Sequence, residues 1–109
     1  MSMGLPVIST NWSGITAYLD EAVGYPLAID GLVPVSGSDS EVLWWFKGLR
    51  WAQPSVKHLA QLMRHVYAHR GEAAAKGRAA RALMQRKFSP EAIADVLVGH
   101  LRRIHEKVP

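Results

Sequence analysis

Apolar residues fall along this chain in two regimes. As far as Val35 they come in short runs broken by Gly, Pro and small polar residues, and from Pro54 onward they recur every three or four positions. The first regime is that of short strands and turns, the second that of amphipathic helices. Leu5, Val7 and Ile8 predict a buried strand, and Pro6 is tolerable at its start because no ladder amide is needed there. Thr10, Asn11, Trp12, Ser13 and Gly14 then replace apolar side chains with hydroxyls, an amide, an indole and a flexible backbone. A polar, Gly-containing turn leading from a strand into a helix is a candidate binding loop, because ligands of open α/β sheets sit outside the carboxyl ends of the strands. Gly14 to Leu19 predicts a short helix with Ser13 as its N-cap, and an anion would suit the free amides at its start. Gly24 to Ile29 and Leu32 to Val35 predict two further edge-like strands, and Ser36 to Ser40 a surface loop.

In the second regime, Ser55 to His69 sets Val56, Leu59, Leu62, Met63 and Val66 on one helical stripe. Glu72 to Lys87 is rich in Ala, which favours helix and leaves a small face for close packing. Phe88-Ser89-Pro90-Glu91 opens a third helix. Ser89 is its N-cap, Pro90 its first helical residue and Phe88 a hydrophobic staple before the cap. Ile93, Val96, Leu97, Leu101 and Ile104 continue that helix to about Lys107. The expected class is therefore α/β, with two or three short strands followed by three C-terminal helices. Residues 1–53 carry the strands and loops and residues 54–109 the helices of one domain or part of one.

Composition changes this picture little. A chain of 109 residues fits one domain, and the absence of Cys removes disulfides, thiol nucleophiles and Cys-based zinc sites from consideration. No apolar run approaches the roughly 20 residues of a membrane span, and the opening Met-Ser-Met-Gly does not have the pattern of a secretory signal. Charge is more informative. Residues 1–46 contain five acids and no Lys or Arg, whereas residues 47–109 contain all 13 basic residues and four acids. Such asymmetry fits a nucleic-acid or anionic-membrane surface. Without a nucleic-acid motif, solvated faces of basic helices are the favoured reading, so nucleic acid is a possible but not a favoured partner.

Two side-chain groups are further candidates for chemistry. Trp44, Trp45, Phe46 and Trp51 are interleaved with Lys47 and Arg50, a composition that suits stacking on bases or sugars. Burial in a core or interface is favoured for them because of their large apolar area. His65 and His69 stand four apart on a predicted helix, but the intervening Glu of a zinc-protease helix is missing, and with His58 they fit a polar helix edge better than a metal site. His100 and His105, five apart, do not share a face. The residues assemble no Ser/His/Asp set and no phosphate-binding Gly-rich loop.

Gly4-Leu5-Pro6-Val7-Ile8 with the loop through Gly14, then Tyr25-Pro26-Leu27, Arg50-Trp51-Ala52-Gln53-Pro54-Ser55 and Phe88-Ser89-Pro90-Glu91, resemble in order and spacing the C-terminal half of group 1 (family 4) glycosyltransferases. The resemblance implies a GT-B architecture, of which this chain would be an incomplete Rossmann-like domain on the donor side. It implies a nucleotide-sugar donor, retaining transfer and no metal cofactor, with Thr10, Asn11, Trp12, Ser13 and Gly14 as donor-binding residues. The family's Glu-x7-Glu motif lies just upstream of the equivalent of Met1-Ser2-Met3-Gly4. Ala17 stands near a place where many members carry an acid, with Asp20 and Glu21 a turn later. The resemblance thus assigns no catalytic residue here, and the chain alone is expected to be inactive. The alternative class is a non-catalytic subunit. Its open strand edges would pair with another protein segment, and its basic helices would contact nucleic acid, membrane or an acidic partner. Either reading places the chain in the cytoplasm or at a membrane periphery.

Overall fold

The computed structural model describes residues 1–35 and 44–108. The loop expected at Ser36 to Ser40 lies outside the described residues. The described residues are mixed α/β, with two separate two-stranded sheets followed by three helices. The strands are β1 (Ile8–Thr10), β2 (Tyr25–Leu27), β3 (Ile29–Pro34) and β4 (Arg50–Pro54), and the helices are α1 (Val56–Ala68), α2 (Arg70–Lys87) and α3 (Pro90–His105). Short 3-10 helices lie at Ser13–Ala17 and Trp44–Phe46.

β1 and β2 run parallel, Ile8 opposite Tyr25 and Thr10 opposite Leu27. Parallel neighbours need a crossover, which here is the segment from Asn11 to Gly24 containing the first 3-10 helix. The strand expected at Leu5 to Ile8 begins later. Leu5 is 65% exposed, and the ladder opens where the Tyr25 amide donates to the Val7 carbonyl (2.9 Å). The residues before it have a different role, since a Cβ on Gly77 of α2 would overlap the Gly4 carbonyl. Close backbone approach thus explains Gly77, while Gly4 is explained by its φ of +73°, which side chains rarely adopt.

β3 and β4 form an antiparallel pair with Val33 opposite Trp51, and a bulge falls between Ile29 and Gly31. Gly31 absorbs it at φ 146°. The described residues therefore form four strands, not two or three. β4 was hidden because Arg50, Trp51 and Gln53 give neither alternation nor a continuous apolar run, and its pairing with β3 supplies what the pattern lacks. The aromatic cluster also divides. Phe46 and Trp51 are half-buried, while Trp44 and Trp45 are 72% and 55% exposed and meet edge-to-face at 5.6 Å, so core packing accounts for only half of it.

The helices form where their periodicity places them. Ser89 caps α3 by accepting from the Ala92 amide (3.2 Å), with Pro90 following. Phe88, before this cap, sets its ring edge-to-face on Tyr18 (5.8 Å). α1 is rotated from the expected stripe. Leu59, Leu62 and Val66 are half-covered together with His58 and His65, whereas Val56 and Met63 are 72% and 60% exposed. The core is small: Leu19, Val23, Tyr25, Leu27, Ala73 and Ala80 are its buried apolar residues among those described. The radius of gyration is 18.5 Å, against about 13 Å for a compact domain of this length. No described helix is long and apolar enough to cross a membrane.

Candidate functional site

Because β1 and β2 run the same way, the two ends of their sheet differ chemically. Thr10 is the last residue of β1, opposite Leu27 at the carboxyl end of β2, and Asn11 to Gly14 follow it. The Asn11 amide donates to the Leu27 carbonyl and the Trp12 amide to the Thr10 carbonyl, both at 2.8 Å. These bonds turn the chain sharply around Asn11. Ser13 then adopts φ 61°, a left-handed conformation uncommon outside glycine, and the Thr16 hydroxyl donates to its carbonyl (2.7 Å). Thr10 is half-buried and Asn11, Trp12, Ser13 and Gly14 are exposed. The five candidate residues thus form one open lip with hydroxyl, carboxamide and indole groups on the surface.

Two local expectations are corrected. The helix after the loop is a five-residue 3-10 turn, not an α-helix over Gly14 to Leu19. Its cap residue is Trp12, with no side-chain bond, because Ser13 is already inside the turn. So short a turn sums few peptide dipoles, and the electrostatic case for an anion at its start lapses. Of the acids near Ala17, Asp20 bends back to accept from the Ala22 and Val23 amides (2.9 and 3.3 Å). Glu21 borders a different cleft. Neither carboxylate is directed to the lip.

That other cleft, of about 220 Å³, lies at the amino end of β2 among Tyr25, His58, Leu62, His65, Glu72 and Lys76. His65 Nε2 meets Glu72 Oε2 at 3.0 Å, and the Tyr25 hydroxyl donates to Glu72 Oε1 at 3.3 Å. Lys76 donates to the Gly24 carbonyl (3.2 Å), stands 3.6 Å from Glu72, and lies 4.3 Å from the centre of the Tyr25 ring. Hydrogen bonding from His65 is the main cause of the lowered Glu72 pKa, and the charges of His65 and Lys76 and the Tyr25 bond act the same way against partial desolvation. Burial pushes the Tyr25 phenol up, and the neighbouring Glu72 charge pushes it further. His58 Nδ1 accepts from the Ala28 amide (2.9 Å), which places its ring proton on Nε2. The polar groups around Glu72 satisfy one another, so this cleft is a clasp joining β2, α1 and α2.

His65 and His69 stack with ring centres 4.2 Å apart and 20° between planes. Stacked rings aim their nitrogens along parallel planes instead of at a common point. His65 Nε2 is engaged by Glu72, and His69 Nδ1 lies 3.0 Å from the His65 carbonyl. Among the described residues no group of three or more His, Cys, Asp or Glu is placed to hold a metal ion. The sequence reading missed the Glu72 partnership. His65 and Glu72 are seven apart across the break between two helices, and only the i,i+4 spacing of Glu72 and Lys76 was a visible signal. Comparison with protein-family models, with curated proteins and with solved structures gives no match to this chain.

Proposed function

We propose that this chain is the donor-side portion of a retaining glycosyltransferase of Rossmann-like build, and that Thr10, Asn11, Trp12, Ser13 and Gly14 contact a nucleotide sugar. The observation that carries the reading is the parallel β1–β2 pair with its crossover, which has Thr10 as the last residue of β1 and Asn11 to Gly14 beyond the carboxyl end of the pair. In such sheets that is where ligands bind. The hydroxyls of Thr10 and Ser13 and the Asn11 carboxamide match the hydroxyl and phosphoryl oxygens of such a donor. Their part in transfer is positioning, holding the donor while its anomeric bond to the diphosphate breaks and a bond to the acceptor oxygen forms. No two Glu in the chain stand eight positions apart, so the acidic pair of the resembling family has no counterpart here. Binding without turnover is the expected behaviour.

The test is titration of the intact chain with uridine, guanosine and adenosine diphosphate sugars, followed by saturation-transfer NMR. Saturable binding of one nucleotide class is expected. Thr10→Val should weaken it about tenfold, the scale of one hydrogen bond to a charged oxygen. Failure of all three classes to saturate, or saturation indifferent to Thr10→Val and Asn11→Ala, would overturn the assignment.

A further inference from the structure

Among the described residues almost nothing covers α3. Of its 16 residues only Ala92 is half-buried and the rest are exposed. Isolated helices of about this length are marginal in water, so an amphipathic one left open is a helix awaiting a surface. At 100° per residue, Ile93, Val96, Leu97, Leu101 and Ile104 fall within an arc of about 140°. Ile93 is 49% exposed and the other four are each 56% exposed, so the band is open from end to end. Charges are sorted around it. Arg103 falls just outside the Val96 edge of the band, 2.8 Å from Nδ1 of His100, which interrupts the band between Val96 and Ile93, and Lys107 follows the end of the helix. Glu91, Asp95 and Glu106 fall about 140–180° from the centre of the band by the same geometry. Arg102 is on that far side with them.

We infer that α3 lies in the plane of an anionic lipid surface, its apolar band in the acyl boundary and Arg103 and Lys107 reaching to the headgroups. An apolar stripe with cations at its border and acids opposite is the arrangement that a flat, negatively charged interface selects, because long basic side chains bury their stems and keep the charge in water. A second copy of α3 fits less well. Antiparallel pairing through the band sets no acid opposite Arg103, since Glu91 and Asp95, the acids of the helix, are on the far side. The inference stands independently of sugar binding.

The test is flotation of the intact chain with vesicles of phosphatidylcholine alone and of phosphatidylcholine doped with phosphatidylglycerol. Binding to the anionic vesicles is expected, falling with added salt. Leu97→Glu should weaken it by about tenfold or more, the value of one buried leucine. Arg103→Gln and Lys107→Gln should each weaken it about fivefold, from about 1 kcal/mol per cation near such a surface. Far-UV circular dichroism of each variant keeps folding apart from binding, and these positions are exposed. The inference is overturned by no flotation with either vesicle, by equal flotation with both, or by flotation that Leu97→Glu leaves unchanged. It is also overturned by a concentration-dependent dimer that Leu97→Glu abolishes in the absence of lipid binding.

Discussion

Helices α2 and α3 follow each other in the chain, have similar lengths and meet opposite fates. α2 sets Ala73, Gly77 and Ala80 into contact and contributes Glu72 and Lys76 to the clasp around Tyr25, so its covered face is made of small and polar residues. α3 has the more apolar face and leaves it open. The difference teaches that close approach, not hydrophobicity, decides which helix this chain keeps for itself. The missing side chain of Gly77 lets α2 reach the Gly4 backbone, where a larger residue would hold the two apart. α3 has no such complement among the described residues, and its five large apolar side chains remain available to another surface.

The comparison breaks most readily at Tyr25. Its side chain is 3% exposed, lies under Lys76 and donates to Glu72, so it holds β2 to α2 by packing, hydrogen bonding and a cation over its ring. Tyr25→Ala should cost about 3–5 kcal/mol, the range for removing a buried aromatic. Urea unfolding followed by tryptophan fluorescence measures this loss. A cost below about 1 kcal/mol would mean that α2 is held no better than α3, and the contrast between them would fall.

Gly77→Val tests the same corner from the backbone side. The added Cβ meets the Gly4 carbonyl, and the helix has to withdraw from the segment leading into β1. About 1–3 kcal/mol of destabilisation is expected, the usual penalty for overpacking. Hydrogen exchange should show protection lost at Tyr25 and Leu27 with α3 unchanged. An equal loss of protection in α3 would show that the two helices stand or fall together.

Much of this fold was legible because helix signals are local. Ser89 and Pro90 marked the start of α3 to the residue, and the Ala-rich run marked α2. What escaped depended on partners distant in sequence. β4 becomes a strand through β3, and the covered side of α1 turned toward His58 and His65 because β2 and Glu72 lie there. Leu5 was read as strand on its apolar character, and the turn into α2's small face took it out of the ladder. Of the candidate site, the position of Thr10 to Gly14 at a strand end was readable, since a Gly-containing polar break after an apolar run has few other uses. The conformation was not. The bend at Asn11 is held in part by the Leu27 carbonyl, which no nearby residue announces, and the positive φ at Ser13 has no signal in the sequence.

The smallest effect sharpens the comparison by pH. Glu72 has a folded pKa below its ordinary 4.5. Its contribution is therefore present above that ordinary value and is lost as pH falls through the lowered one. Tyr25 is shifted the other way, above its ordinary 10.0, so the stability tied to its neutral phenol is present below that value and is lost as pH rises through the raised one. Unfolding free energies measured from acid to alkaline pH should show both limbs. Glu72→Gln should flatten the acid limb by removing the titrating carboxyl and weaken the alkaline limb by removing part of what raises the Tyr25 pKa. The Glu72 side chain is 42% exposed, so each change is modest at ordinary salt. α3 has no part in this clasp, and its helicity should follow neither limb; if it did, the acid-sensitive corner and the open helix would form one cooperative unit.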